Sequence, residues 1–274
     1  MKQIYCGIMA IFFLFCVSCA PKKEKVTGIG SQNVYRITLS DPFGRVSSEF
    51  WTAQKLTALG ARKMPSSFFD RAMKYSGTQF EAVSLLRIIS QFKLKNGEDA
   101  VLLNCFDDYQ GFLPISEILK YDLYLATRIE LESGSDKPGW LNPLIILVPD
   151  GKSPPFGERF LTANIRELKF VRSSDYYGPI RQIAKTSKDA ERGFEVYKRN
   201  CLFCHSQQGR GGDKGTRLNN KYPLSSDAEK KKFLDDFKSF HGKDNADKQD
   251  VEQFVSDDEL NSVMEFLLAL KKGG

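Results

Sequence analysis

Five consecutive residues, Cys201-Leu202-Phe203-Cys204-His205, constrain this 274-residue chain more than anything else in it. Two thiols separated by two residues can add across the two vinyl groups on one edge of a haem. A histidine directly after them can then turn beneath the macrocycle and offer its imidazole to iron. The motif therefore points to one covalent haem c, with Cys201 and Cys204 as its attachment points and His205 as the proximal iron ligand. Three other uses compete. A thioredoxin-like pair needs its cysteines at a strand-to-helix junction, a zinc site would join Cys201, Cys204, His205 and His241, and a disulfide across two residues is strained.

The surroundings favour haem. Ser187 can cap a helix on which Ala190, Gly193, Phe194 and Tyr197 share a face. Ser256-Asp257-Asp258-Glu259 has the form of a capping box with acidic residues in the first turn. The helix it opens presents Leu260, Val263, Leu267 and Leu270 on one face and ends at Lys271-Lys272-Gly273. Between the two lies Gly209-Arg210-Gly211-Gly212-Asp213-Lys214-Gly215-Thr216-Arg217-Leu218.

This arrangement, over about the last 90 residues, resembles the single-haem class I cytochromes c. The resemblance implies an all-α domain in which an N-terminal helix crosses a C-terminal helix beside the haem, with Gly193 and Phe266 as the crossing residues. The glycine-rich stretch is similar to the family's loop after the haem histidine, with Thr216 where Pro is usual. In that family a Met in a loop before the last helix binds iron from the second face. Here Phe254 aligns with the aromatic of that loop and Val251 falls where the Met should be. His241, one of only two histidines, is the natural substitute. It follows a helix expected over Ala228 to Phe240. Alternatives at that position are Met264, a lysine such as Lys243 or Lys248, an empty site, or a solvent-facing histidine at a helix C-terminus.

The N-terminus speaks for export. Lys2 and the apolar run Ile8 to Val17 form a signal-peptide pattern too short to span a membrane. The run closes as Phe15-Cys16-Val17-Ser18-Cys19-Ala20, which resembles the lipobox of bacterial lipoproteins, with Cys16 where Leu is usual. The resemblance implies acylation of Cys19 and a membrane-anchored protein on the periplasmic or cell-surface side. An ordinary signal cut near Ala20 and an uncleaved anchor are the alternatives. We expect residues 1–19 to be the signal peptide and 20–33 a tether.

Residues 34–178 mix strands (Val34–Leu39, Ala100–Cys105, Leu125–Leu131, Leu144–Val148, Glu167–Val171) with a helix carrying Leu85, Ile88, Ile89 and Phe92, and a shorter one after Pro114. The expected fold class is an α+β N-terminal domain followed by an all-α cytochrome c domain over residues 179–274. The stretch from Phe80 to Val171, through Leu103 to Pro114 and Leu144 to Asp150, faintly resembles the sulfite-oxidase-type molybdopterin-binding domain. Its members hold molybdenum through an earlier Cys. This chain has none between Ala20 and Asn104, so we expect a relative without molybdopterin and read Cys105 as a small buried hydrophobe.

A hydrophobic content of 41% argues against disorder, and a net charge of +6, interleaved in sign, lacks the basic stripe that nucleic acid requires. The reading is thus single-electron transfer between redox protein partners by a lipid-anchored monohaem cytochrome, a carrier more than a catalyst. The alternatives are a molybdopterin oxidoreductase with a fused haem relay, and a haem sensor or peroxidase with an exchangeable sixth ligand.

Overall fold

A computed structural model describes residues 34–40, 46–94, 97–132, 134–241 and 255–273. The expected signal peptide, tether and acylated Cys19 lie outside the described residues, as do Lys243, Lys248, Val251 and Phe254. Among the described residues no helix is long and apolar enough to cross a membrane.

Among the described residues nine strands precede the helical region. They are β1 (Val34–Ser40), β2 (Val46–Thr52), β3 (Arg62–Met64), β4 (Gln79–Ser84), β5 (Ala100–Cys105), β6 (Gln110–Pro114), β7 (Tyr124–Glu130), β8 (Ile145–Leu147) and β9 (Ile165–Val171). They form two sheets. The first has the order β2-β1-β9-β5-β6 and the second β3-β4-β7-β8. Among the described strands β1 and β9 pair in parallel and the other ladders are antiparallel. Val101, Leu103, Leu168 and Phe170 alternate inward from β5 and β9 and are buried with Trp51, Ile88 and Phe160 in one core. A second core under the smaller sheet gathers Phe69, Phe80, Ile129 and Ile145.

The expected fold class needs correction. The N-terminal region is built on two separate sheets, and its α-helices are minor: α1 (Ala53–Thr57), α2 (Ser67–Met73), α3 (Leu85–Ile89) and α4 (Ile115–Tyr121) run five to seven residues. The periodic run from Leu85 to Phe92 yields a helix only as far as Ile89. Strands β2, β3, β4 and β6, which are not among the strands expected from sequence, form because neighbouring strands complete their hydrogen bonds: β2 on β1 and β6 on β5 as hairpins, β3 on β4, and β4 on β7.

From Ser173 onward the described chain is helical, consistent with the all-α half of the expectation. The helices are α5 (Ser173–Ala184), α6 (Lys188–Asn200), α7 (Leu218–Lys221), α8 (Asp227–His241) and α9 (Asp257–Gly273). Helix α5 runs through Tyr176-Tyr177-Gly178-Pro179, because Tyr177 and Ile180 are buried in the helical core. Ser187 caps α6 by accepting from the Ala190 amide at 3.0 Å. At α9 the Glu259 amide donates to Ser256 Oγ at 3.2 Å and the Ser256 amide donates to Glu259 Oε2 at 3.0 Å, a closed capping box.

Candidate haem site

Helices α6 and α9 cross at Gly193. A β-carbon there would lie 1.9 Å from the Ser262 carbonyl oxygen and 3.0 Å from Phe266 Cβ. Phe266 is fully buried and its ring packs against Phe194 and Tyr197, with centroids 5.5 and 5.3 Å away. This crossing delivers the C-terminus of α6 to Cys201, which caps the helix with its amide donating to the Tyr197 carbonyl at 2.9 Å.

The motif then folds into a tight turn. The His205 amide donates to the Cys201 carbonyl at 2.8 Å, and the Tyr197 hydroxyl donates to the His205 carbonyl at 2.7 Å. Cys201 and Cys204 are not joined in a disulfide; Cys201 is buried and Cys204 partly exposed. Burial pushes the Cys201 thiol up to about 12. Among the described residues no group of three or more His, Cys, Asp or Glu is placed to hold a metal ion. The cysteine pair follows a helix rather than a strand, so the thioredoxin-like setting is absent too.

The loop after His205 returns over the motif. The Gly215 amide donates to the Cys204 carbonyl at 2.7 Å, and His205 Nδ1 pairs with the Thr216 carbonyl at 2.7 Å. That contact puts the proton on Nδ1 and the lone pair on Nε2, the orientation a ligating imidazole needs. A β-carbon on Gly215 would stand 2.3 Å from the His205 ring, so only glycine fits beside it. Because the acceptor is a backbone carbonyl, Thr216 serves where Pro is usual. Burial lowers the His205 pKa from its ordinary 6.5, assisted by the charges of His241 and Lys221 and opposed by the Thr216 carbonyl.

His241 closes α8, and its ring lies 6.2 Å from that of His205, centroid to centroid, with the planes 58° apart. Its Nδ1 contacts the Phe237 carbonyl at 3.3 Å, and the ring stacks on Phe237 at 4.5 Å. A metal-bound imidazole nitrogen is about 2 Å from the ion. Two imidazoles on one metal from opposite sides therefore have centres on the order of 6 Å apart. At this spacing the two imidazoles could share one metal ion. Met264 is buried in the helical core among the α9 residues.

These residues fit a covalent haem: two cysteines outside any disulfide and one turn apart, an imidazole held by Nδ1, a glycine that clears its ring, and a second imidazole at metal-sharing distance. Cys105 is 1% exposed, its Sγ contacts the Leu103 carbonyl at 3.7 Å, and burial raises its pKa.

Tyr197, the Thr216 carbonyl and the Gly215 cradle were not assigned site roles from sequence, although all lie in segments that carried the resemblance. A further set was missed altogether: Tyr109 and Gln110, which touch the haem-motif loop from the N-terminal sheet. The Gln110 amide donates to the Phe203 carbonyl at 3.1 Å, and Tyr109 stacks on Phe203 with centroids 5.0 Å apart.

Residues 190–271 match the family model described as cytochrome c. That stretch begins in α6, contains the Cys-x-x-Cys-His turn and ends in α9. It is a cytochrome c domain, which implies haem c and supports haem-based electron transfer. No curated protein matches the chain.

Proposed function

We propose that the chain is a monohaem c-type electron carrier held at a membrane surface. Cys201 and Cys204 form the thioethers, His205 is the proximal iron ligand and His241 the distal one. The observation that carries this reading is the turn from Cys201 to His205 with Nδ1 of His205 fixed on the Thr216 carbonyl at 2.7 Å. The haem, when bound, supplies a one-electron iron couple. The protein's part is to fix two imidazoles, which favours electron passage over exchange of small ligands at iron.

An exported chain acylated at Cys19 would stay at the periplasmic or cell-surface side of a membrane, since two or more acyl chains give stable anchoring. Redox proteins on that side would be its partners, and the N-terminal region would work without molybdopterin. The apolar run before Cys19 and its small-residue ending support this.

The test is the absorption spectrum of the reduced, purified full chain, with the haem quantified after denaturation. One haem that stays with the denatured chain, and is lost in Cys201→Ala with Cys204→Ala, supports the reading. A colourless wild-type chain obtained from a host competent in haem attachment would sink it.

A further inference from the structure

The loop that carries the haem motif is held by the N-terminal sheet, and the hold runs through Gln110. Its backbone amide takes the Phe203 carbonyl, between the two cysteines, at 3.1 Å. Its Oε1 accepts from the Gly211 amide at 3.0 Å and from the Tyr176 hydroxyl, which in turn accepts from Gly211 at 2.7 Å. Two residues on, the Asp213 amide donates to the Asp108 carbonyl at 2.8 Å. The approach is so close that a β-carbon on Gly212 would meet the Phe203 carbonyl oxygen at 2.2 Å and that of Asp108 at 2.7 Å.

Behind Gln110 a line of side-chain hydrogen bonds crosses the whole five-stranded sheet. Gln110 Nε2 on β6 donates to Asn104 Oδ1 on β5 at 2.7 Å, and Asn104 Nδ2 donates to Glu167 Oε2 on β9 at 2.6 Å. Thr38 on β1 donates to Glu167 Oε1 at 2.6 Å and lies 3.1 Å from Ser48 Oγ on β2. Three of these links join residues directly opposite in register: Ser48 with Thr38, Glu167 with Asn104, and Asn104 with Gln110. Each amide in the line has its orientation set by the next, so the Glu167 carboxylate, which only accepts, leaves Gln110 Oε1 facing the loop.

We propose that Gln110 is a positioning residue for the haem: through it the N-terminal sheet sets the hydrogen bond of the proximal histidine. This rests on the electron-transfer reading above. The segment that Gln110 and Asp108 fasten, Gly211 to Asp213, leads directly into Gly215 and Thr216, whose contacts close on Cys204 and His205. A histidine that donates firmly from Nδ1 is a more basic ligand and stabilises the ferric state. Loosening the fastening lengthens that bond, weakens the ligand and raises the reduction potential.

The experiment uses the full haem-loaded chain and two variants, Gln110→Met and Tyr176→Phe. Gln110→Met keeps bulk and backbone but takes away one of the two acceptors of the Gly211 amide and the acceptor of the Tyr176 hydroxyl. Tyr176→Phe removes one oxygen and keeps the ring on Phe112 and Tyr177. Spectroelectrochemical titration should show Gln110→Met with a higher midpoint. At a fixed poise the ferrous-to-ferric ratio should rise in Gln110→Met, each tenfold rise corresponding to about 59 mV for one electron. Tyr176→Phe should move the same way by less, and the double variant little beyond Gln110→Met, because the two share one unit.

A midpoint unchanged or lowered in haem-loaded Gln110→Met of normal thermal stability overturns the inference and leaves the electron-transfer reading intact. Should Gln110→Met fail to accumulate, Tyr176→Phe decides by the same sign. A wild-type chain without covalent haem sinks the electron-transfer reading, and this one with it.

Discussion

A β-carbon on Gly193 would stand 1.9 Å from the carbonyl oxygen of Ser262, so α6 and α9 meet backbone against backbone at that point. Alanine is the better helix former by up to about 1 kcal/mol. Overpacking a core, however, costs about 1–3 kcal/mol, and here the obstructing atoms are backbone that cannot rotate aside. Gly193→Ala should therefore lose about 3 kcal/mol or more. Thermal unfolding of the haem-loaded chain checks it. A midpoint at or above that of wild type would mean that the helices part at little cost.

The haem motif and its two flanking helices were legible because the information is local. Vinyl addition fixes the cysteine spacing, and Ser187 and Ser256 cap helices through residues three positions on. The sheets were less legible. Strand β4 is held by β7, and β6 by β5 and the haem loop, pairings that neither strand's own short run of residues announces. Gln110 reads as one polar residue near a turn until the fold brings it to Gly211, 101 positions away. The acceptor for His205 was hidden for another reason. Any residue at position 216 has a backbone carbonyl, so no side chain announces it. The run at Tyr176 to Pro179 suggested a break, but the burial of Tyr177 and Ile180 carries α5 through it.

The 6.2 Å between the rings of His205 and His241 makes a specific demand on ligand binding. With both imidazoles on iron, the reduced wild-type spectrum should not change when carbon monoxide is added. His241→Ala should open the second face and let the gas bind. Ready binding by the wild type would show that His241 leaves the site open, and would favour the exchangeable-ligand alternative.

Cysteine reactivity before haem attachment should follow burial. Only the thiolate attacks an alkylating agent. Burial holds Cys201 at about 12 and also raises Cys105, whereas Cys204 is the one of the three that is not buried. In native haem-free chain at neutral pH, iodoacetamide should label Cys204 first, with the other two reacting only after unfolding. Peptide mass mapping over a time course reads the order; equal labelling of Cys201 and Cys204 would contradict the buried placement of Cys201.

The pH dependence of the haem-free fold follows from His205. Its folded-state pKa lies below the ordinary 6.5, chiefly because the ring is half-buried, while in the unfolded chain it titrates at the ordinary value. Between the two values the unfolded chain binds more protons, so stability rises with pH there. The contribution is fully present above 6.5 and is lost as pH falls through the folded value. His205→Gln removes the titration while keeping a polar side chain near the Thr216 carbonyl. The difference in unfolding midpoint between wild type and His205→Gln, followed from pH 7.5 downward, should therefore move against the wild type as the solution is acidified below about 6.5. A flat difference would mean that the ring is as well hydrated in the folded chain as in the unfolded one. A difference of the opposite sign would mean that the Thr216 carbonyl outweighs burial and holds the imidazolium.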